Sequence, residues 1–192
     1  MRRGHARGLP LVLACAMVAG GAAFAQDAFK GVDPVTGYRM GQYRAPTPLS
    51  VPGAATIDVF AVIDAQKAGT VLLDVMAHQG GGTDPQTGEW RIQTPREDIP
   101  GSVWLPDVGV GAPGPAIERY FRAQLETLVG PPPGRPFVVY CQADCWMSWN
   151  AARRAARWGY TAVSWFPEGS DGWRDAGLAL APAPHPPPVP VD

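Results

Sequence analysis

Short apolar runs that alternate with helical patterns constrain the fold of this chain more than any other feature. Three runs have the length and β-branched content of buried strands, and they are Thr70–Met76, Pro136–Tyr140 and Thr161–Phe166. Apolar residues at helical spacing fill the stretches that separate these runs, Pro115–Val129 and Ser148–Trp158. Strands that alternate with helices build parallel sheets covered on both faces, so the pattern predicts an α/β domain around a central parallel sheet.

Residues 1–25 have the pattern of a secretory signal peptide. A basic start precedes an apolar stretch from Leu9 to Phe24, and Ala23-Phe24-Ala25 is a typical cleavage site. The stretch is shorter than the roughly 20 apolar residues of a membrane-spanning helix. We therefore expect cleavage before Gln26, a periplasmic location and no membrane anchor on the mature chain.

The remaining chain divides into a lead-in, one domain and a tail. Residues 26–55 predict an extended lead-in, residues 56–180 the α/β domain, and the Pro-rich residues 181–192 a disordered tail. Within the domain, residues 77–101 predict a large surface loop. Without the three arginines of the leader, the 16 basic residues fall to 13 against 17 acidic residues, and no basic cluster stands out. This charge balance argues against a nucleic-acid partner.

Two of the three cysteines, Cys141 and Cys145, fall in the part that we expect to be exported. In an oxidising compartment such a pair is a disulfide, a redox pair or a set of metal ligands. Two cysteines supply only half of a tetrahedral metal site, which argues against a metal. A bond between them would close a very small loop, which gains little stability from cross-linking and is strained and easily reduced. A redox role and a purely structural disulfide both remain open.

The position of Cys141 predicts a reactive site. It directly follows the apolar run Pro136–Tyr140, at the sheet edge where open α/β folds bind ligands. A helix predicted to start near Ser148 would direct its amino terminus toward the loop and stabilise a thiolate. Asp144, in the same loop, would oppose a thiolate by charge repulsion.

Two neighbours of this predicted site have two interpretations each. Asp74 ends another predicted strand, where it either orients loop amides or caps a turn. Trp146 either stacks on a flat cofactor or packs in the core.

Four segments stand in the order of a rhodanese domain, and they are Leu72–Val75, Asp98–Ser102, Val138–Cys141 and Glu168–Leu178. Over roughly residues 56–180 the chain thus resembles the rhodanese family, which implies a rhodanese-like three-layer fold. In that family the cysteine at the position of Cys141 carries a sulfane sulfur as a persulfide, cradled by loop amides. The resemblance therefore implies an active-site loop made of Cys141, Gln142, Ala143, Asp144, Cys145 and Trp146.

The loop departs from the usual rhodanese pattern. The family usually has Gly three residues after the cysteine and often a basic or hydroxyl residue further on, whereas here those places hold Asp144, Cys145 and Trp146. An anionic donor such as thiosulfate would meet a carboxylate rather than a cation, so we expect very weak sulfur transfer from thiosulfate. Asp98 replaces the His of the family's usual His-Ile-Pro-Gly-Ala run.

A second resemblance covers nearly the whole mature chain that we expect. Segments Gly37–Arg39, Tyr43–Pro46, Ile99–Pro106 and Cys141–Ala152 are similar to the exported family that is named for its CXXCW motif and associated with PQQ-dependent catabolism. This similarity implies a periplasmic protein that accompanies quinoprotein alcohol oxidation. It also implies a quinoprotein dehydrogenase or an electron carrier as the partner, and contact with a redox cofactor.

Two hypotheses about function follow. In the first, the protein is a thiol enzyme in which Cys141 is the nucleophile and Cys145 resolves it, or in which Cys141 carries a persulfide. In the second, the protein is a non-catalytic accessory module that binds a quinoprotein partner or its cofactor. The cysteines would then form a structural disulfide.

Overall fold

The structure is a computed structural model that describes residues 30–191. The expected signal peptide and its cleavage site lie outside the described residues. In chain order the strands are β1 (Ala55–Thr56), β2 (Val71–Asp74), β3 (Glu97–Asp98), β4 (Val103–Trp104), β5 (Phe137–Tyr140), β6 (Val163–Phe166) and β7 (Ala181–Pro182). The helices are α1 (Val59–Lys67), α2 (Gly114–Val129), α3 (Trp146–Arg157) and α4 (Gly169–Asp175). Within residues 30–191, no helix has both the length and the apolar character needed to cross a membrane.

Five strands form one parallel sheet in the order β1-β6-β5-β2-β4. Because side chains alternate along a strand, Leu73 and Val139 point to one face and Leu72 and Val138 to the other. The first face packs on α2 and α3, and the second packs on α1 and α4. The three-layer α/β fold with a central parallel sheet is therefore confirmed. Cys141 continues the alternation of β5 and lies in the core on the α2 and α3 side.

Helix α3 begins two residues before its predicted start at Ser148, and Cys145 is its N-cap residue. Trp146, Met147, Ser148 and Trp149 are all buried, so the first turn is covered on every side. The alternation of exposed and buried positions that marks a helix in a sequence is missing there. The helix amino terminus therefore lies directly at Cys145 rather than beyond the loop.

The prediction of a disordered tail is wrong for residues 181–191. Strand β7 pairs with β3, and further along the tail the N–H of Val189 donates to the carbonyl of Gly88 (2.9 Å). The indole N–H of Trp90, a buried residue of the loop 77–101, donates to the carbonyl of Pro187 (3.1 Å). Proline lacks an N–H but keeps its carbonyl, so a Pro-rich segment still accepts hydrogen bonds, and its restricted backbone loses little entropy when it is ordered. The loop and the tail thus hold each other in place.

The extended lead-in lies along the start of α3. The N–H of Ala45 donates to the carbonyl of Asp144 (2.9 Å), and the N–H of Trp146 donates to the carbonyl of Tyr43 (2.8 Å). Further back, the side chain of Asn150 bonds both the N–H and the carbonyl of Arg39, at 3.0 and 2.9 Å. Residues 30–54 of the lead-in form turns and isolated bridges without a helix, and they cover one side of the segment that carries the cysteines.

Candidate functional site

Cys141 and Cys145 are joined by a disulfide bond, and their Cα atoms lie 6.2 Å apart. Cys141 follows the last residue of β5, and Cys145 caps α3. Residues 141–145, here called the cysteine loop, therefore connect the carboxyl end of a central strand to the amino end of a helix. Cys141 is fully buried and Cys145 is 4% exposed. The little solvent contact that the pair has is thus through Cys145.

Asp144 forms the turn of the cysteine loop. Its φ of +54° lies in the left-handed region, which favours glycine and which Asp adopts more readily than most residues. This conformation explains how Asp stands where a rhodanese loop usually has Gly. The side chain is exposed and lines a surface cavity with Trp165 and Glu168. Because water and salt screen an exposed carboxylate, its repulsion of a thiolate is small.

A cavity of about 210 Å³ lies beside the cysteine loop, and we call it the Arg96 cavity. Its walls include Met76, Arg96, Gln142 and Ser170. The thioether Sδ of Met76 lies 3.5 Å from the Sγ of Cys141. Met76 therefore forms part of the cavity wall and also contacts the disulfide behind it.

Arg96 connects the strand ends at this site. Its Nε donates to the carboxylate of Asp74 (2.8 Å), which is fully buried at the end of β2. Its Nη2 donates to the hydroxyl of Ser170 (3.2 Å) and to the carbonyl of Cys141 (3.4 Å). Asp74 also accepts the N–H of Met76 (2.9 Å), so it caps the turn after β2, which is one of its two predicted roles.

The sequence interpretation missed Arg96. A carboxylate that is buried at a strand end requires a cationic partner, because an isolated buried charge is very costly. The sequence contains a signal for this partner, since the long loop 77–101 holds only two basic residues, Arg91 and Arg96. Choosing between them requires the path of the loop, and it is Arg96 that reaches Asp74.

Two carboxyl groups share this cation. Burial raises the pKa of Asp74 to about 6, although Arg96 acts in the opposite direction. Burial, together with the charge of Asp74, raises the pKa of Asp98 to about 7. Asp98 is 1% exposed, and its Oδ2 has no hydrogen-bond partner within the described part of the chain. The position that usually holds His in a rhodanese thus carries a carboxyl group that is easily protonated.

The expectation that an anion would meet no cation here is wrong for the Arg96 cavity. Arg96 and Arg174 both line it, from elements far from the cysteine loop in sequence. Arg174 also pairs with Asp171 (2.5 Å), and Asp171 accepts the N–H of Ala143 (3.1 Å). One loop amide that could cradle an anionic sulfur is therefore already bonded to a carboxylate of the protein.

Trp146 and Ser148 are parts of the core. Trp146 is fully buried, its indole N–H donates to the carbonyl of Pro46 (3.0 Å), and its ring packs at 5.1 Å from that of Trp149. Of its two predicted roles, packing is confirmed. The hydroxyl of Ser148 donates to the carbonyl of Cys145 (2.9 Å) and accepts the indole N–H of Trp165 (3.0 Å). Ser148 therefore holds the end of the cysteine loop in place from inside the protein.

The three-layer fold has a central parallel sheet, and a cysteine directly follows the middle strand of that sheet. These features define a class of α/β proteins with a candidate thiol site. The sequence profile of the family described as Rhodanese-like domain matches residues 62–176. The protein belongs to this family.

The comparison with solved structures gives a more distant likeness. The chain is similar to the thiosulfate sulfurtransferase from Pseudomonas aeruginosa, with 18% identity and a TM-score of 0.46 over 73% of this chain. It spans 22% of that protein, so it corresponds to about a fifth of the other chain. No curated protein sequence matches the chain.

Proposed function

We propose that this rhodanese-like protein is periplasmic and that its Cys141–Cys145 pair cycles between a disulfide and two thiols. The observation that carries the proposal is the bond itself, formed at the carboxyl end of β5 against the amino end of α3. A persulfide carrier needs a free Cys141 and free loop amides. Here Cys141 is bonded and buried, and the amide of Ala143 is bonded to Asp171. These contacts favour thiol redox chemistry over transfer from thiosulfate.

The reaction that we propose is an exchange with a partner dithiol. A partner thiolate attacks the Sγ of Cys145, and the electron pair of the broken S–S bond leaves with Cys141, which takes up a proton. The second partner thiol then displaces Cys145, so the partner is oxidised to a disulfide and the protein gains two electrons and two protons. The same steps run backward when the protein reduces a partner disulfide.

The geometry favours Cys145 rather than Cys141 as the sulfur that reacts with the partner. Cys145 has the only solvent contact of the two, and it stands at the amino terminus of a 12-residue helix. The helix dipole at such a terminus stabilises a thiolate. Cys141, behind Cys145 and Met76, is then the resolving thiol. This reverses the roles that the sequence predicted.

Export rests on the signal-peptide pattern of residues 1–25, and the partner rests on the sequence resemblance. The Tyr43–Pro46 segment, one of the motifs that carry the similarity to the CXXCW family, bonds directly to the cysteine loop. We propose that the partner is a quinoprotein dehydrogenase or its electron carrier, and that it approaches this loop. Cell fractionation and amino-terminal sequencing test export, with a periplasmic chain that starts at Gln26 as the expected result.

Trapping experiments test the roles of the two cysteines. Cys141→Ser should leave a reactive Cys145 that accumulates a mixed disulfide with glutathione, whereas Cys145→Ser should leave a buried Cys141 that reacts slowly. Alkylation and mass mapping across a glutathione redox series give the occupancy of each state. If Cys141 reacts faster than Cys145, then Cys141 is the nucleophile, as in the usual rhodanese arrangement, and the proposed roles are wrong. A bond that opens only when the domain unfolds would instead establish the structural disulfide of an accessory module.

A further inference from the structure

We infer that the reduced cysteine pair, together with Met76, forms a binding site for a single Cu(I) ion. The observation behind this inference is a cluster of three sulfur atoms. The Sγ atoms of Cys141 and Cys145 are bonded to each other, and the Sδ of Met76 lies 3.5 Å from the Sγ of Cys141. The inference goes beyond the proposed function and shares one requirement with it, namely that the disulfide can be opened.

The spacing of the sulfurs suits a small ion with three donors. At a metal–sulfur distance of about 2.3 Å, three sulfurs around one ion lie roughly 4 Å from one another. Met76 is already close to this distance from Cys141. The Cα atoms of the cysteines are 6.2 Å apart, so rotation of the Cys145 side chain can separate its sulfur by the required amount after reduction.

The donor set selects the metal. Thiolates and thioethers are soft ligands, and they favour Cu(I) over the harder divalent ions. Zinc prefers four ligands from Cys, His and carboxylates. Among the described residues, His, Cys, Asp and Glu side chains form no group of three that could hold a metal. The thioether of Met76, 3.5 Å from the Sγ of Cys141, supplies the third donor at this place.

The surroundings provide access and charge balance. Met76 lines the Arg96 cavity, so an ion that enters the cavity meets the thioether before it reaches the buried cysteines. Two thiolates and Cu(I) carry a net charge of −1. Two electropositive groups lie next to this charge. The amino end of α3 lies at Cys145, and the guanidinium of Arg96 lies 3.4 Å from the carbonyl of Cys141.

Binding of Cu(I) to the protein takes place in two steps. A dithiol first reduces the Cys141–Cys145 bond and is itself oxidised to a disulfide, which delivers two electrons and two protons to the pair. Cu(I) then displaces both protons as it binds the two sulfurs, without a change in its oxidation state. The disulfide therefore excludes the metal, and the bound metal protects the thiols from oxidation.

Anaerobic competition against a coloured Cu(I) chelator, bathocuproine disulfonate, tests the inference. The full mature chain is reduced with a phosphine, and alkylation of a sample first counts its free thiols. We expect one Cu(I) for each chain, loss of tight binding in Cys141→Ser, and an affinity lower by about tenfold or more in Met76→Leu. Met147→Leu is the matched control, because Met147 is also a buried methionine, and this variant should bind like the wild type.

X-ray absorption of the loaded protein should count three sulfur neighbours, and two in Met76→Leu. An unchanged affinity in Met76→Leu would overturn the three-sulfur site. Free thiols that bind no Cu(I) would overturn the inference and leave the proposed redox function intact. A pair that resists the phosphine in the folded protein would overturn both.

Discussion

The cysteine loop has two sides that differ in the kind of contact that covers them. On the side of the Arg96 cavity, charged and sulfur-containing side chains meet the loop, and they come from the β2–β4 region and from α4. On the side of the lead-in, the main chain of Tyr43 and Ala45 bonds to the main chain of Trp146 and Asp144. One side therefore depends on particular side chains, and the other depends mainly on backbone shape.

The two sides of the cysteine loop therefore have different roles: the cavity side supplies reactive or charged groups, and the lead-in side holds the shape of the loop. Backbone hydrogen bonds can form with many sequences, so the lead-in holds the shape of the loop and adds little chemical selectivity. The cavity side places a cation, a hydroxyl and a thioether next to the disulfide, and each is a specific chemical group. Substitutions on the cavity side should therefore change charge and pKa values, whereas substitutions on the lead-in side should change how readily the loop opens.

The largest effect is expected from Arg96→Met on the cavity side. The change leaves the carboxylate of Asp74 buried without its cation, and breaking such a buried pair costs on the order of 3 kcal/mol in the free energy of unfolding at pH 7. The cost should be smaller at pH 5, because protonation of Asp74, whose pKa is already raised to about 6, removes the unpaired charge. Urea denaturation at both pH values measures this.

The matched control is Arg91→Met in the same loop. Arg91 also pairs with a carboxylate, Asp84 at 2.7 Å, but its side chain is 60% exposed. Exposed pairs contribute roughly 0–1 kcal/mol. Equal losses for the two variants would mean that the burial of the Arg96–Asp74 pair has no energetic weight.

The next effect is a dependence of stability on pH that comes from Asp98. Its folded pKa is raised to about 7, so the folded protein binds more protons than the unfolded chain between about pH 4 and 7. The free energy of unfolding should therefore be higher at pH 5 than at pH 8. This extra stability should be lost as the pH rises through 7. Asp98→Asn should stabilise the protein at pH 8 by on the order of 2 kcal/mol and flatten this profile except for the part that comes from Asp74, whose pKa is raised to about 6. A wild-type profile with its maximum at pH 8 would contradict the assignment.

A smaller effect is expected from Trp146→Phe on the lead-in side. The variant loses the hydrogen bond to the carbonyl of Pro46, which should cost about 1–2 kcal/mol and loosen the lead-in over the cysteine loop. Reduction of the disulfide by glutathione should then be faster. Trp149→Phe is the control. It loses an equivalent indole hydrogen bond, to the carbonyl of Ser50, at a position about one helical turn after Cys145. Equal reduction rates in the two variants would show that the lead-in does not limit access.

The smallest effect is expected from Asp144→Gly. Glycine suits the positive φ at this position but gains entropy in the unfolded chain, so stability should change by less than about 1 kcal/mol. Transfer of sulfur from thiosulfate to cyanide should remain very weak, because the amide of Ala143 stays bonded to Asp171. Activity at the level of an ordinary rhodanese after this single change would show that the Asp144 carboxylate alone suppresses it.

Much of the fold could be predicted because it depends on local patterns. The strand at Phe137–Tyr140 and the strand at Val163–Phe166 are short apolar runs, and each lies where the sequence predicts it. The helix Gly114–Val129 follows its apolar spacing in the same way. Boundaries were less accurate at Cys145, because a fully covered helix start lacks the amphipathic pattern.

The tail and the candidate site required the folded chain. Residues 181–191 have few apolar side chains, and their order comes from Trp90, which lies about 97 residues away from its partner Pro187. The Arg96–Asp74 pair joins residues 22 positions apart, and the Met76–Cys141 contact joins residues 65 positions apart. Neither pair has a spacing rule that a sequence could display.

The sequence by itself thus determined the α/β class, the central strands and the position of a cysteine pair after one of them, because hydrophobic periodicity and turn chemistry act between near neighbours in the chain. Only the tertiary structure decided which cation meets Asp74, which sulfur meets Cys141 and which cysteine lies at the helix terminus. These are contacts between side chains that the folded path brings together, and their energies arise from burial, which no local pattern records.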